Sequence, residues 1–371
     1  MSLSLPADPP GARSLTDVVG EMTAALDGRS TWFPPATSAV VFVIDGLGAR
    51  NLAARSGHAR FLAQAGGRRA VCRTVFPSTT ASALTSLLTG ASVGTHGIVG
   101  YRARVPATDE VVNQLRGWDA GHLPPGWQRA TPSSAGERPF FAVSKSEYAG
   151  TGFTAATLGG AEFHGEDDLT QRVRAAAALA SRVPGSLTYL YAPELDAIGH
   201  RRGWESDEWV AALERVDAAA RDLEAAATRG VGIVVTADHG MVDVPRHRHV
   251  LLTEGGLTDG VRHIGGEPRM LHLYASDTEA DAVLTRWRHA EAHRSWVLSR
   301  DEAIEAGLFG DVADDVRARI GDVLVAARAG IAYYDDREAD KGAQRMIGQH
   351  GSLTDEERVV PLLGLGAFAR S

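Results

Sequence analysis

Apolar and polar positions along the chain form two alternating patterns. Short, continuous apolar runs occur at 38–45 (SAVVFVID), 186–192 (SLTYLYA) and 231–240 (VGIVVTADHG), and polar residues lie at or just beyond the end of each. Such runs are typical of strands that are buried on both faces of a parallel sheet. The segments 167–183 and 206–230 instead place apolar residues at helical spacing. This alternation predicts an α/β fold with a doubly wound, mostly parallel sheet and helices on both faces.

Further segments extend the same pattern. The run 70–76 (AVCRTVF) predicts a strand that leads into a helix at 78–90, where Ser and Thr residues suit the start and Gly90 suits the end. The segment 49–67 predicts one helix after the first strand, and 138–145 (RPFFAVSK) predicts a further strand.

Three regions do not follow the alternation. Residues 1–12 are expected to be disordered, and residues 102–138, which are rich in Gly, Pro and Trp, are expected to run over the sheet as a long excursion. Residues 253–348 mix strand-like and helix-like segments and are interpreted as a lid or insertion. We therefore expect a single domain over residues 13–371 that contains this lid region.

Composition and charge narrow the class of protein. With 371 residues and 44% hydrophobic composition, the chain can build a sizeable core. The net charge of -8 argues against a nucleic-acid partner, although a bound metal could still attract a phosphate substrate. Cys72 is the single cysteine in the sequence, which excludes an intrachain disulfide and a Cys-rich zinc module. The start of the sequence lacks a secretory signal pattern, and no apolar stretch is long enough for a membrane span, so a cytoplasmic location without membrane association is expected.

Side chains suited to metal binding or nucleophilic attack follow the predicted strands. Because ligands of open α/β sheets bind at the carboxyl ends of the strands, these side chains are expected to meet at one edge. They are Asp45, Thr80, Asp196, His200, Asp238, His239 and, in a glycine-flanked loop near the end of the chain, His350. Asp196 and His200 are expected to lie in the loop that follows the strand at 186–192.

Each of these residues alone is ordinarily a helix cap, a turn residue or a loop residue. Their convergence on one predicted edge favours a site instead. Three carboxylates and three imidazoles favour zinc, are compatible with manganese or iron, and disfavour calcium. Six ligands exceed what one zinc ion needs and predict two metals about 4 Å apart, an arrangement suited to phosphoryl transfer. Thr80, at a predicted helix N-terminus, can supply the nucleophilic hydroxyl.

Five stretches resemble, in order, the signatures of the alkaline phosphatase superfamily, and most closely those of its type I phosphodiesterase/nucleotide pyrophosphatase family. The resemblance covers about 40–363, with 253–348 matching poorly. The stretches are 43–52 (VIDGLGARNL), 76–101 (FPSTTASALTSLLTGASVGTHGIVGY), 192–200 (APELDAIGH), 236–241 (TADHGM) and 350–363 (HGSLTDEERVVPLL).

The resemblance implies an alkaline-phosphatase-like fold, a small phosphate ester as substrate, two zinc ions, and a covalent intermediate on Thr80. It divides the ligands into two sets. The first set would be Asp196, His200 and His350, and the second would be Asp45, Thr80, Asp238 and His239. His96 is expected to be structural, because its imidazole is not a ligand in the family.

The sequence departs from the family at the residues after Thr80. Family members usually have Phe-Pro-Asn there, and the Asn contacts the phosphoryl oxygen, whereas Ala83 occupies that position here. The resemblance therefore does not extend to nucleotide specificity.

Several alternatives remain open on the same site. A phosphomonoesterase would need an additional cation, for which Lys145 and Arg269 are candidates, and a phosphonate (C–P) hydrolase would use the same threonine and metals. A non-catalytic binding protein is disfavoured because no ligand is missing.

Other enzyme classes fit poorly. A sulfatase would require a different context around Cys72, and the chain is short for a metal-dependent phosphoglycerate mutase. A dinucleotide-binding loop after the first strand lacks the third glycine of its pattern.

Overall fold

The computed structural model describes residues 4–66, 70–132 and 138–369. The α-helices are α1 (Val18–Leu26), α2 (Ala49–Ala54), α3 (Arg60–Ala65), α4 (Thr80–Thr89), α5 (Val93–His96), α6 (Gly152–Leu158), α7 (Leu169–Arg182), α8 (Glu194–Arg202), α9 (Asp207–Ala226), α10 (Ala280–Glu291), α11 (Arg300–Glu305), α12 (Asp314–Arg317) and α13 (Asp355–Arg358).

The strands lie between these helices. They are β1 (Ser38–Ile44), β2 (Val71–Arg73), β3 (Arg102–Val105), β4 (Glu110–Asn113), β5 (Phe140–Ser144), β6 (Glu162–Gly165), β7 (Leu187–Ala192), β8 (Val231–Thr236), β9 (Val242–Asp243), β10 (His249–Leu251), β11 (Val261–Glu267), β12 (Met270–Ala275), β13 (Ser295–Ser299), β14 (Val323–Ala327), β15 (Ala332–Tyr334), β16 (Gly348–Gln349) and β17 (Val359–Gly366).

The central sheet, over the described residues, has seven strands in the order β2-β17-β8-β1-β7-β5-β6. The pairs from β8 through β1, β7 and β5 to β6 are parallel, and β17 runs antiparallel to both β8 and β2. Every residue of β1, β7 and β8 is buried, so both faces of these strands are covered by other parts of the protein. The predicted α/β fold with a doubly wound, mostly parallel sheet is confirmed.

Two predicted elements are shorter than expected. The helix predicted over 49–67 is two short helices, α2 and α3, in its described part, 49–66, and residue 67 lies outside the described residues. The carboxylate of Asp217 on α9 accepts hydrogen bonds from the backbone N–H groups of Phe61 and Leu62 and starts a new helix there. The strand predicted at 70–76 pairs with β17 only over β2, after which the N–H of Thr74 bonds to Arg358 O.

The region 253–348 contains a second sheet, antiparallel, with the strand order β11-β12-β14-β13. It has an apolar core of its own in which Trp287 of α10 packs with residues such as Leu273 and Val325. The lid role of this region stays a prediction.

The N-terminal segment was expected to be disordered up to residue 12, and that expectation is wrong for the residues described. Leu5 packs against an apolar cluster, and Asp8 forms ion pairs with Arg73 and Arg358. Residues 1–3, and residues 133–137 of the predicted excursion, lie outside the described part of the chain. Among the described helices, none is both long enough and apolar enough to cross a bilayer.

A buried ion pair connects the second sheet to the central one. Arg269, between β11 and β12, donates from Nε and one terminal nitrogen to the two carboxylate oxygens of Glu357 at 2.7 and 2.8 Å. Its guanidinium also donates to the carbonyl oxygens of Ala327, Ala329 and Ile331, so its hydrogen-bonding capacity is met inside the protein.

We expect Arg269→Ala to lower the free energy of unfolding by about 3–5 kcal/mol, because it leaves the Glu357 carboxylate buried without its partner. Urea denaturation would measure the change. Arg288→Ala is the matched control, since it removes an arginine from an exposed pair with Glu302 and should cost no more than about 1 kcal/mol. Equal effects of the two substitutions would contradict the assignment of Arg269 as a structural link.

Candidate metal centre

The first cluster of candidate ligands lies at the carboxyl ends of β1 and β8, which are neighbours in the sheet. Asp45 follows the last residue of β1, and Asp238 and His239 follow β8 after one alanine. All three are buried, and each offers a ligand atom within 4.8 Å of the others. The sheet therefore brings together the side chains that the sequence predicted to meet at this edge.

A second cluster combines Asp196, His200 and His350, again with ligand atoms within 4.8 Å of one another. The sequence placed Asp196 and His200 in a loop, and this is wrong: both lie on helix α8, four residues apart on one face. Acidic residues in its first turn and basic residues in its last turn favour a helix here. His350 follows β16 and approaches from the far end of the sequence.

Backbone carbonyl groups fix the orientation of all three imidazoles. Nδ1 of His239 bonds to Gly240 O at 3.1 Å, Nδ1 of His200 to Gly348 O at 2.8 Å, and Nδ1 of His350 to Ser78 O at 3.0 Å. Because a carbonyl oxygen can only accept, each Nδ1 carries a proton, and in the neutral ring the lone pair is therefore on Nε2. Neutral imidazoles held in this way are the form that binds metal ions.

The three carboxylates each keep one buried oxygen without a hydrogen-bond partner in the described structure. These atoms are Oδ1 of Asp45, Oδ1 of Asp196 and Oδ2 of Asp238. The other oxygen accepts hydrogen bonds in two of these carboxylates. Asp238 Oδ1 accepts from the N–H groups of Gly46 and His239, and Asp45 Oδ2 accepts from the Tyr191 hydroxyl. Leaving a buried charged oxygen unpaired is costly, so the donor set fits bound cations.

The shifted pKa values of two candidate ligands also favour bound metal ions. Burial, and then the charges of Asp238 and Asp196, raise the pKa of Asp45 well above its usual value. Burial, and then the charges of His239 and His200, lower the pKa of His350 well below its usual value. A metal ion relieves both penalties, because it offsets the repulsion among carboxylates and requires unprotonated imidazoles.

Thr80 lies where the two clusters meet. It is the first residue of α4, and its Oγ1 is 3.1 Å from Nε2 of His239. The rings of His239 and His350, one from each cluster, are stacked with their centroids 3.6 Å apart. The hydroxyl is thus adjacent to both ligand sets and to the free N–H groups of a helix N-terminus.

Close backbone packing holds the cluster of Asp196, His200 and His350 in place. Gly46 has φ of 76°, and a Cβ there would lie 3.1 Å from Cβ of Asp196. A Cβ at Gly348 would lie 2.6 Å from Gly199 O, so the segment before His350 can pack directly against helix α8.

The other residues that the sequence considered have defined environments. Arg269 is fully engaged by Glu357 and backbone carbonyls and is no additional cation for a substrate. Lys145 follows β5 at the same edge of the sheet and is half-buried, with Nζ 3.9 Å from Glu147. Ala83 is buried within α4, and the ring of His96 bonds to the Ser86 hydroxyl and the Ile98 N–H.

Sequence reasoning missed the residues that support the ligands. The Tyr191 hydroxyl on β7 holds Asp45, and the buried Arg172 of α7 pairs with Glu194 at the start of α8. Both are unremarkable in sequence, since a tyrosine in an apolar strand and an arginine in a helix usually serve packing and solubility.

Glu267, at the end of β11, was also missed. It is buried, and neither carboxyl oxygen has a hydrogen bond of normal geometry within the described structure. It packs on the segment that carries His350, since a Cβ at Gly351 would lie 2.6 Å from its Cγ. Burial raises the pKa of Glu267 to about 8, opposed by the nearby Thr79 hydroxyl and reinforced by the charge of Glu357.

Comparison with known proteins gives one family and several related folds. Residues 39–353 match the model of the type I phosphodiesterase/nucleotide pyrophosphatase family. A structure of murine ectonucleotide pyrophosphatase/phosphodiesterase 5 is 18% identical and superposes with a TM-score of 0.70 over 89% of this chain and 88% of that one. The human counterpart is 17% identical, with a TM-score of 0.68 over 90% of each chain.

An inactive variant of the murine protein, in complex with AMP, is 18% identical and gives a TM-score of 0.69 over 89% of this chain and 88% of that one. At these identities the likeness to solved structures establishes the fold. No curated protein matches the chain significantly in sequence.

We expect Tyr191→Phe to weaken metal binding about 10–100-fold, because the hydroxyl that holds Asp45 is lost while the ring is kept. Competition with a chromogenic chelator would measure zinc affinity. The control is Tyr189→Phe, which removes a hydroxyl from the stacked neighbour on the same strand. Equal zinc affinity in the two variants would contradict a supporting role for Tyr191.

We expect Glu267→Gln to become increasingly stabilising, relative to the unchanged protein, as the pH rises from about 5 to 8. The unfolded chain releases the Glu267 proton near the ordinary value of 4.5, whereas the folded chain keeps it until about 8, so folding stability falls through this window. The difference should reach at most about 4 kcal/mol. Urea unfolding at pH 5, 6.5 and 8 would measure it, and a difference that does not change with pH would refute the raised pKa.

Proposed function

The chain belongs to the type I phosphodiesterase/nucleotide pyrophosphatase family of the alkaline phosphatase superfamily, and from that premise we propose that it is a two-metal phosphodiesterase with Thr80 as nucleophile. The observation that carries the proposal is the convergence of three imidazoles, each held by a backbone bond at Nδ1, with three buried carboxylate oxygens that lack a hydrogen-bond partner in the described structure.

The ligands divide by position. Asp196, His200 and His350 would hold one ion, and Asp45, Asp238 and His239, with the Thr80 hydroxyl, would hold the other. When bound, two zinc ions would lower the pKa of the Thr80 hydroxyl and offset negative charge on the phosphoryl group. Manganese or iron would suit the same nitrogen and oxygen donors.

In the first step, Thr80 Oγ1 forms a bond to phosphorus while the bond from phosphorus to the leaving oxygen breaks. The Thr80 hydroxyl releases its proton to solvent water, and the leaving oxygen takes up a proton from solvent, so the leaving group departs as an alcohol or a phosphate. The N–H groups at the start of α4 are suited to donate hydrogen bonds to a phosphoryl oxygen beside the nucleophile.

In the second step, water attacks the phosphorus of phospho-Thr80 and the bond to Oγ1 breaks, which restores the threonine hydroxyl. The fixed imidazoles support both steps, because their Nδ1 bonds to the backbone prevent them from turning away as charge develops. The products are one alcohol for each ester bond cleaved and a phosphate with one substituent fewer.

A diester fits this site better than a monoester. A monoester brings nearly two negative charges to the reacting group, and Arg269 is not free to meet the second. Lys145 at the edge of the sheet is the residue on which a monoesterase or a phosphonate hydrolase would depend. The AMP complex of the murine relative supports testing nucleotide esters among the substrates.

We expect zinc-loaded protein to hydrolyse bis-p-nitrophenyl phosphate faster than p-nitrophenyl phosphate, with two zinc ions per chain. Thr80→Val should lower kcat at least about 10³-fold while zinc binding persists, because the nucleophile is lost and the fold is kept. Thr79→Val is the matched control: it removes the hydroxyl of the adjacent, buried threonine and should retain most of the activity.

The outcomes separate the parts of the proposal. Faster turnover of the monoester would keep the site and overturn the diester preference. Loss of activity in Thr79→Val but not in Thr80→Val would move the nucleophile by one residue. Absence of turnover together with less than two metals per chain would overturn the two-metal assignment.

A further inference from the structure

A cavity lined by arginines lies beneath the N-terminal segment and contains none of the candidate metal ligands. It encloses about 290 Å³ and is bordered by the end of β2, by α13 and by residues 8–16. Two arginines in its wall, Arg73 and Arg358, are largely buried, with side chains 14% and 10% exposed. Buried arginines require acceptors, so the occupant of this cavity decides how their charge is met.

The present acceptor is Asp8. Its two carboxylate oxygens lie 3.1 and 3.2 Å from the terminal nitrogens of Arg358, and one of them lies 3.3 Å from Nε of Arg73. Charge-assisted hydrogen bonds between such groups are usually 2.7–2.9 Å long, so the carboxylate fits this cradle loosely. Asp8 is also much more exposed than the arginines, at 43%.

The cradle has a third donor that Asp8 does not use. Thr74 lines the cavity and is 1% exposed, and its hydroxyl has no hydrogen-bond partner among the described residues. The backbone of Thr74 is fixed by Arg358, whose carbonyl oxygen accepts its N–H and whose guanidinium donates to its carbonyl oxygen. A buried, rigidly held hydroxyl without a partner can donate a hydrogen bond to a ligand that binds in the cavity.

The donor geometry favours a phosphate group over a single carboxylate. Arg73 pairs with Asp355 outside the cavity, Arg50 pairs with both Asp355 and Glu356, and Arg358 has Asp8 as its carboxylate partner. Two guanidinium groups that converge with a hydroxyl match a phosphate group, which has more acceptor oxygens than a carboxylate and nearly two charges. The remaining volume of the cavity exceeds the size of a phosphate group and leaves room for a substituent.

We propose that this cavity is a binding site for a phosphate group, in which the Asp8 carboxylate stands in for the ligand. Binding displaces Asp8 and releases the N-terminal segment around it. The site is separate from the candidate metal centre, so substitutions of Asp8 and Thr74 test it independently of any phosphate or AMP that the metal centre binds.

The test is isothermal titration of inorganic phosphate, and separately of AMP, into the full-length protein and its Asp8→Ala variant. Removal of the competing carboxylate should tighten phosphate binding at this site at least tenfold. Asp27→Ala is the matched control, because Asp27 also bridges two arginines, Arg29 and Arg138, with the same change in net charge. A larger gain in affinity for AMP than for phosphate on Asp8→Ala would identify an organic phosphate as the occupant, and the reverse would identify the free ion.

Thr74→Val, made in the Asp8→Ala background, distinguishes a site from a structural clamp. Loss of an unpartnered hydroxyl should leave the melting temperature unchanged or higher, and phosphate affinity should fall about tenfold. Hydrogen exchange of residues 4–12 in the unchanged protein should accelerate when phosphate is added. Identical phosphate isotherms for the unchanged protein, Asp8→Ala and Asp27→Ala, or an unchanged affinity in the Thr74→Val variant, would overturn the proposal.

Discussion

Three carboxylates enclosed at one edge of a parallel sheet are the constraint on which the site depends. Asp45, Asp196 and Asp238 each keep one oxygen without a hydrogen-bond partner in the described structure. Burying several negative charges close together is unfavourable unless cations lie among them. The three histidines supply the remaining donors, and the backbone carbonyls that hold each Nδ1 determine which nitrogen faces the centre. Bound cations would therefore satisfy this edge of the fold electrostatically.

The stretch that begins at His350 connects most parts of the molecule. His350 belongs to the candidate metal centre, and Gly351 packs on Glu267 of the second sheet. A few residues later, Glu357 binds Arg269 and Arg358 binds Asp8. One short segment therefore joins the metal site, the second sheet and the cavity under the N-terminal segment. Together, these contacts constrain the position of the His350 imidazole.

The outline of the fold and the members of the site were accessible from sequence, whereas the supporting contacts were not. The buried runs around β1, β7 and β8 predicted parallel strands, because a strand covered on both faces has no polar side. Local pattern failed at 49–67, where a carboxylate on α9 starts a new helix, and at 194–202, where a helix replaces the expected loop. It failed again before residue 12, where ion pairs with distant arginines order a polar segment.

By itself, the sequence determined which chemical groups lie at the ends of the strands, because parallel strands must bring their carboxyl ends to one edge. The tertiary structure alone decided how these groups are held: the tautomers of the histidines, the Tyr191 bond to Asp45 and the engagement of Arg269 by Glu357. The physical reason is that burial and hydrogen-bond partners arise between residues far apart in the chain. Composition and spacing do not encode such partners, so the buried environment of a residue such as Glu267 is evident only in the folded protein.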